Sequence, residues 1–242
     1  MTTWTRHLYE HDPLAMAKGE SNGYSTVNIF GYNSSVGTTF IPAWENNTAY
    51  TYPASALPMT VNSDVADNGV VIKVVGLDSD YNPISATYTL NSSSPPTTMG
   101  FFRINEVVTV DGNGTGSAAN DITLTNGGIT YAKVRGGDGK SQMSLYTVPN
   151  GHSLYLYRIT ALSATANGSK YLMFRNYVTR GGVNVRVGQT TFPNTLVVDR
   201  QIPFKYEEKT DIQLQAKSSS GSNEVGLFAE CALIKNTIQG EP

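Results

Sequence analysis

Three histidines and one cysteine are the side chains here with the strongest potential for metal binding or nucleophilic chemistry. His7 and His11 are four residues apart, which would turn both imidazoles toward one metal ion if the segment were helical. No Glu or Cys stands in zinc-site register with them, and the segment is a weak helix former. His152 lies in a polar turn, and Cys231 lies in an apolar run typical of a small buried side chain. We therefore predict no metal site.

A second candidate for metal chemistry is the acidic segment around residue 80. Asp78, Asp80 and Asn82 resemble the first half of a calcium-binding loop. Such a loop has Gly at its sixth position and Glu at its twelfth, whereas this chain has Pro83 and Thr89 there. A hairpin turn rich in Asp and Asn explains the segment better.

Two glycine-rich segments, GNGTG (112–116) and GGDGK (136–140), look like phosphate-binding loops at first sight. They lack the complete spacing of such a loop, and no helical pattern follows to bring a helix N-terminus to a phosphate. No Ser stands in a nucleophile elbow. We interpret both segments as turns between strands, and we predict no enzymatic activity and no cofactor.

The composition argues against two classes of binding partner, nucleic acids and membranes. Charged residues make up 15% of the 242 residues, below the roughly 25% of typical globular domains. The net charge is −2 and the basic residues are dispersed, so we expect no nucleic-acid partner. No apolar run approaches the ~20 residues that span a bilayer, so we expect no membrane partner. The absence of a signal-peptide pattern predicts synthesis in a cytoplasm, and a single cysteine permits no internal disulfide.

Most of the sequence consists of short segments in which apolar and polar residues alternate, separated by Gly, Pro, Asn and Ser. This alternation is typical of strands with one buried face, and no long segment has the period of a helix. Val70–Leu77 and Ile84–Leu90 are predicted to form a hairpin. The strand Phe101–Gly112 is expected to be bent or bulged, because its apolar positions change parity after Arg103.

The segment Ser141–Thr160 carries the strongest turn signal of the chain. Two alternating runs flank Pro149, Asn150 and Gly151. Pro cannot donate to a strand ladder, and Asn-Gly supplies the positive φ that a tight turn needs. The sequence therefore predicts a β-hairpin here.

These patterns predict an all-β fold with two antiparallel β-sandwich or jelly-roll-like domains, preceded by an extended N-terminal arm. We expect the arm at residues 1–26 and the first domain at residues 27–140. The second domain is expected at residues 141–242, and it includes a short polar tail.

The N-terminal arm contains large apolar side chains without a regular period. Trp4, Leu8, Tyr9 and Leu14 are scattered among polar residues, in an extended segment or a short helical turn. Exposing such side chains is costly unless they dock on the same body or on a neighbouring subunit. These four residues are our candidates for an assembly interface.

Four motifs in a fixed order give the chain a family resemblance. They are VVGLDSDYNPISATYTLN (74–91), FFRINEV (101–107), YTVPNGHSLYL (146–156) and EEKTDIQLQA (207–216). Together they resemble a family of virion structural proteins of marine tailed phages, cyanophages among them. The resemblance extends from about residue 29 to residue 234 and rests on order and spacing, since each motif alone is weakly specific.

The resemblance implies a structural role in a phage particle and no reaction. Low charge and a surface rich in Ser, Thr and Asn fit the outer capsid surface. We therefore expect a capsid decoration (cement) protein that clamps neighbouring capsomers. Its partners would be the major capsid protein and further copies of the chain, as a homotrimer.

Two alternatives follow from the same residues. The chain has 14 Tyr, a residue that suits interfaces and sugar-binding surfaces, so a tail or fibre protein that binds the host surface is one alternative. The other is a carbohydrate-binding module outside any virus, in which Trp44 or Tyr-rich loops would stack on glycans.

Overall fold

The computed structural model describes residues 13–21, 23–114, 116–164 and 170–236, and it has antiparallel strands almost throughout. An all-β fold is therefore confirmed. The strands in chain order are β1 (Tyr24–Val36), β2 (Ile41–Pro42), β3 (Leu57–Asn62), β4 (Val71–Leu77), β5 (Pro83–Thr89), β6 (Pro96–Phe101), β7 (Arg103–Asp111), β8 (Ile122–Asn126), β9 (Ile129–Val134), β10 (Leu145–Thr147), β11 (His152–Leu162), β12 (Leu172–Arg180), β13 (Val183–Phe192), β14 (Thr195–Tyr206), β15 (Asp211–Ser218) and β16 (Asn223–Lys235).

Helical structure in the described residues is limited to two short elements. Helix α1 (Pro13–Lys18) precedes β1 and lies against it, and a 3₁₀ turn spans Val65–Asp67. The Asp64 side chain caps that turn by accepting a hydrogen bond from the Ala66 N–H. No helix in the described ranges is long and apolar enough to cross a bilayer.

Two sheets form the larger body, which we call the jelly-roll body. Sheet A has the strand order β1-β16-β11-β14, and sheet B has the order β10-β15-β12-β13 with β2 also paired to β15. The inward-facing side chains of both sheets enclose one buried cluster, in which Leu156, Leu172 and Leu227 are almost fully buried. The alternating pattern of these strands thus places one face of each sheet in a shared core.

The strand order is that of an eight-stranded jelly roll. The short strands β2 and β10 lie end to end along β15, at its residues 215–216 and 211–213, and count as one strand. Counted in this way, the eight strands in chain order are β1, β2 with β10, β11, β12, β13, β14, β15 and β16. Sheet A then has the order one, eight, three, six, and sheet B has the order two, seven, four, five. This neighbour order is the one that two interlocked Greek keys produce.

A second body is inserted within strand two of the jelly roll. Trp44 and Met143 form an isolated antiparallel bridge, and the Ser144 N–H donates to the Ala43 carbonyl at 2.8 Å. The chain therefore leaves and re-enters the jelly roll at adjacent points. Between them, sheet C (β6-β3-β8-β9) and sheet D (β5-β4-β7) enclose a second buried cluster that includes Ile72 and Leu124. We call residues 44–143 the inserted body.

The hairpin predicted at Ser141–Thr160 is wrong. β10 pairs with β15 in sheet B, whereas β11 lies in sheet A between β14 and β16. The turn at Pro149–Gly151 does form, with φ of +70° at Gly151. It carries the chain around a corner from one sheet to the other, because both edges of β11 are already occupied by other strands.

The predicted domain ranges also differ from the structure. β1 and β2 fall within the range 27–140, yet they pair with β16 and β15 of the jelly-roll body. Two side-by-side jelly rolls are not what the chain forms, since one body interrupts the other. The hairpin of β4 with β5 and the bulge in β7 are confirmed.

Candidate functional site

The two bodies meet at a buried ion pair between Arg103 of β7 and Asp211 of β15. The Arg103 Nε and Nη2 donate to the two carboxylate oxygens of Asp211 at 2.8 and 3.0 Å, a bidentate geometry. Both residues are at most 6% exposed. Burial acts to lower the pKa of Arg103, but the Asp211 carboxylate outweighs it, and the pKa is raised. The guanidinium therefore stays charged inside the protein.

Both N–H groups of Nη1 and the guanidinium plane of Arg103 also have partners. Its Nη1 donates to the carbonyls of Pro53 and Phe102 at 3.1 and 2.8 Å. The guanidinium carbon lies 4.6 Å from the ring centre of Tyr52 and 3.9 Å from that of Phe102. A guanidinium so fully surrounded is closed to an external anion, and its role is to join the two bodies.

A bulge in β7 aims a second polar side chain at the same junction. Asn105 is the extra residue between the pairs Val75–Glu106 and Gly76–Ile104. Its side-chain amide accepts from the Thr147 N–H at 2.9 Å and donates to the Thr147 carbonyl at 3.1 Å. The Asn105 amide thus pairs with the backbone of β10 as a neighbouring strand would.

The four sequence motifs that carry the family resemblance converge here. Thr147 Oγ1 donates to Asp211 at 2.6 Å, which joins the third motif to the fourth. The Asn150 N–H donates to the carbonyl of Tyr81 at 2.9 Å, which joins the third motif to the first. Arg103 and Asn105 belong to the second motif. Residues from segments far apart in sequence therefore form one contact region, which we call the seam.

The seam extends along the outward face of β15, which is polar but buried. Gln213 and Gln215 are 8% and 6% exposed, and the Gln215 amide donates to the Gln213 side-chain oxygen at 2.6 Å. The Arg175 Nε donates to Gln215 at 2.5 Å, and its guanidinium stacks on Phe40 and Tyr177. Buried polar groups that satisfy one another in this way hold the side chains of this face in one arrangement.

The outward face of sheet A, in contrast, is exposed and carries an apolar row. The register places Phe30, Phe228, Thr160 and Val197 side by side across the four strands. Phe30 is 41% exposed and Val197 is 53% exposed. Leu162, 53% exposed, lies in the adjacent row. We call Phe30, Phe228, Thr160 and Val197, of which Thr160 alone is polar, the apolar row.

A charged row flanks the apolar row on the same face. Asn28, Glu230, Arg158 and Asp199 are neighbours across the same four strands. Arg158 contacts Asp199 closely and lies 3.8 Å from Glu230. An exposed apolar band beside a charged band is typical of a protein-binding surface.

Glu45 is an unusual buried acid at the base of the inserted body. It is 6% exposed, and its carboxyl group faces the Asp138 carboxyl and the backbone of Gln142. Burial, with a further contribution from the Asp138 carboxyl, raises the pKa of Glu45 to about 8. Glu45 is therefore mostly neutral at pH 7 in the folded chain.

Of the predicted assembly residues, Trp4, Leu8 and Tyr9 lie outside the described residues, and Leu14 is 60% exposed on α1. His7 and His11 also lie outside the described part. His152 is half-buried, with its Nδ1 2.9 Å from the Asn150 carbonyl oxygen. Within the described ranges, no group of three or more His, Cys, Asp or Glu could hold a metal ion.

Three further predictions from the sequence concern Trp44, the turn at 78–82 and Cys231. Trp44 is 1% exposed and donates its indole N–H to the Thr48 carbonyl at 2.6 Å, so it cannot stack on a glycan. The turn at 78–82 is held as interpreted, with the Asp78 carboxylate accepting from the N–H groups of Asp80 and Asn82. Cys231 is buried, which raises the pKa of its thiol to about 12.

Sequence reasoning missed the seam and the apolar row. Arg103 and Asp211 are 108 positions apart, and neither segment contains a local sign of its partner. The available signal was the charge of Arg103 directly after two phenylalanines, because a charged residue must find a partner if it is buried. The apolar row depends on strand neighbours, which alternation alone does not give.

The strand topology defines an all-β protein with a jelly-roll body and an inserted β-body. No protein-family model matches the chain, and no curated protein matches it either. Among solved structures, one of infectious bursal disease virus Gt strain aligns at 12% identity, 88% of this chain, 72% of that chain and a TM-score of 0.21. T=1 particles derived from infectious bursal virus align at 11% identity, 88% and 74% coverage, and a TM-score of 0.18. TM-scores this low do not establish a shared fold.

Proposed function

We propose that this chain is a structural component of a tailed-phage virion, a decoration (cement) protein on the outer head surface without catalytic activity. The observation that carries the proposal is the apolar row, which crosses an exposed sheet face beside a charged band. An exposed sheet face of this kind marks a site for another protein. The major capsid protein is the partner that we assign to it.

The family resemblance supports this role. Its four motifs supply the residues of the seam, so the likeness falls on the part of the chain that fixes its two bodies together. Jelly-roll bodies also occur in viral capsid domains, and in lectins and cupins too. The likeness to those domains is one of fold alone.

The mechanism we propose for the protein is mechanical. A cement protein has to transmit load between capsomers, so its own parts must not move against each other. The seam provides this rigidity through the buried ion pair of Arg103 with Asp211 and the hydrogen bonds between Asn105 and Thr147. Association as a homotrimer would multiply a weak contact of each copy with the lattice. The protein would reach the outer capsid surface after synthesis in the host cytoplasm.

The first experiment is to measure the amount of this protein relative to the major capsid protein in purified virions by mass spectrometry. The proposal predicts a ratio near one to one, or one to a few. A few copies per hundred would contradict it and favour a tail or fibre component that binds the host. Absence from virions would exclude both roles.

The second experiment tests the surface that carries the proposal. Val197→Asp places a charge in the apolar row, and Ile129→Asp makes the same change at a residue 44% exposed on the inserted body. In a pull-down on heads that lack the protein, Val197→Asp should bind at least about tenfold more weakly. The Ile129→Asp control should bind as the wild type does. Equal binding of both variants would exclude sheet A as the docking face.

A further inference from the structure

The second edge of β1 opens into a cleft between the two bodies. β1 pairs with β16 on one side, and no described strand pairs with its other side. Residues 26–30 line a cleft of about 420 Å³, together with residues 75–77 of β4 and 105–106 of β7. Met143, Leu145 and Tyr146 also line it. The edge thus faces a concave, partly apolar space of the size that binding pockets have.

The hydrogen-bonding pattern of β1 shows which backbone groups this edge offers. The Lys235 N–H donates to the Gly23 carbonyl at 2.8 Å, so these two residues form a hydrogen-bonded pair. Hydrogen-bonded and non-hydrogen-bonded pairs alternate along an antiparallel ladder, and the register from Tyr24 to Asn33 is unbroken. The N–H and C=O groups of Thr26, Asn28 and Phe30 therefore point away from β16, on the side of the cleft.

The described chain begins close to β1. Helix α1 begins at Pro13 and contacts β1, so residues 1–12 are linked to the chain near the strand that lines the cleft. Twelve extended residues reach about 40 Å, far more than the ~5 Å between neighbouring strands. This segment contains Trp4 and Leu8, which would share one face of an extended strand.

We propose that residues 1–12 add an extended strand to the free edge of β1, with Trp4 held in the cleft. Main-chain hydrogen bonds to Thr26, Asn28 and Phe30 supply affinity in this kind of strand addition, and the cleft supplies side-chain specificity. The added strand also covers an open edge that would otherwise invite unspecific pairing. The inference concerns the isolated protein and does not rest on the proposed role in a virion.

The test uses a chain that begins at Pro13, which keeps every described residue, and a synthetic peptide of residues 1–12. Circular dichroism first checks that the shortened chain is folded. We expect the peptide to bind it saturably, as followed by the anisotropy of a label on the peptide's C-terminus. A Trp4→Ala peptide should bind at least about tenfold more weakly.

A matched pair of variants tests the edge itself. Asn28→Pro removes an N–H that points away from β16, so the existing ladder loses no bond. Asn28→Ala removes the same side chain and keeps the N–H. We expect about tenfold weaker peptide binding for the Pro variant and unchanged binding for the Ala variant. If the Pro variant does not fold, a peptide N-methylated at alternate residues blocks the same pairing and should not bind.

Sedimentation of the full chain then identifies which copy donates the segment. Association that rises with concentration and disappears in the shortened chain means that a neighbouring copy donates it. A monomer at every concentration that does not take up the peptide means that the same copy donates it. The proposal is overturned if the shortened chain binds no peptide up to about 1 mM. It is also overturned if the Trp4→Ala and N-methylated peptides bind as well as the natural one.

Discussion

The carboxylate of Asp211 accepts three hydrogen bonds, two from Arg103 and one from Thr147. A buried ion pair of this kind gains little over apolar packing, because both ions lose their water. The loss of one partner alone is costly, since the other charge stays buried without compensation. The ion pair between Arg103 and Asp211 therefore fixes the position of β7 relative to β15, although it adds little net stability.

Replacing Asp211 with Asn should therefore destabilise the protein strongly. The amide keeps the shape of the side chain but leaves the Arg103 charge without its counter-ion, and we expect a loss of about 3–5 kcal/mol. Denaturant unfolding measures it. Asp199→Asn is the matched control, because its partner Arg158 is exposed and water screens the pair. A loss for Asp211→Asn as small as that of the control would show that the seam does not hold the bodies together.

Glu45 makes stability depend on pH in the direction opposite to an ordinary salt-bridged acid. Folding raises its pKa from 4.5 to about 8. Between these values the folded state binds more protons than the unfolded state, so stability falls as pH rises. The contribution is fully present below pH 4.5 and is lost as pH passes through about 8.

Glu45→Gln should remove this pH dependence. Because one pH unit corresponds to about 1.4 kcal/mol, the wild type should lose up to about 4 kcal/mol more than the variant between pH 5 and pH 8. Urea unfolding at several pH values in this window measures the difference. Glu207→Gln, at an exposed acid paired with Lys205, should leave the slope unchanged. If the free energy of unfolding had the same pH dependence in the wild type and in Glu45→Gln, Glu45 would not have a raised pKa in the folded state.

At the scale of elements, β1 crosses the point where the inserted body interrupts the jelly roll. A Cβ atom on Gly31 would lie 2.1 Å from the Ala43 carbonyl oxygen and 2.3 Å from the Ser144 nitrogen. Both are backbone atoms of the interrupted strand. Gly31 is therefore required by the close approach of two strands, and not by a turn.

Gly31→Ala should destabilise the chain by about 3 kcal/mol or more, since neither backbone can move without breaking its own ladder. The control is Gly226→Ala on β16, where an added Cβ meets nothing within 4 Å. That variant should stay within about 1 kcal/mol of the wild type. Denaturant unfolding measures the free energy of unfolding of both variants. Equal losses of stability would mean that the backbones at Gly31 can move apart to accommodate a Cβ atom.

Alternation predicted most strands, because a period of two follows directly from the strand backbone. Alternation did not predict which strands pair with each other. The Pro149–Gly151 turn reads as a hairpin loop, but the same turn can carry a chain between sheets, and only the occupied edges of β11 exclude the hairpin. The polar residues of β15 likewise alternate as if they faced water, although they are buried. Such contacts join segments far apart in sequence, and no local pattern reports them.

At the scale of the whole molecule, the inserted body is joined to the jelly roll through one adjacent pair of strand ends and the seam, with further contacts of Asn47 to Ser34 and of Arg135 to Tyr32. Its own core is built by sheets C and D, with Leu145 of β10 the only buried member from beyond Met143 in that cluster. The jelly-roll residues that contact Arg103 and Asn105 of the insert, Asp211 and Thr147, are polar. We therefore expect that removing the insert exposes little apolar surface of the jelly roll beyond Leu145.

We predict that the jelly-roll body folds without the insert. Because Trp44 and Met143 are a bridged pair, Asn-Gly can replace residues 45–142 as a two-residue turn, with Trp44→Thr and Met143→Thr removing the exposed apolar side chains. Circular dichroism and denaturant unfolding should show a cooperative transition. In this shortened chain Asp211→Asn should have almost no effect, since Arg103 is gone and water solvates residue 211, whereas in the full chain it costs several kcal/mol. A shortened chain that does not unfold cooperatively, or that loses as much stability on Asp211→Asn as the full chain, would show that the two bodies are one folding unit.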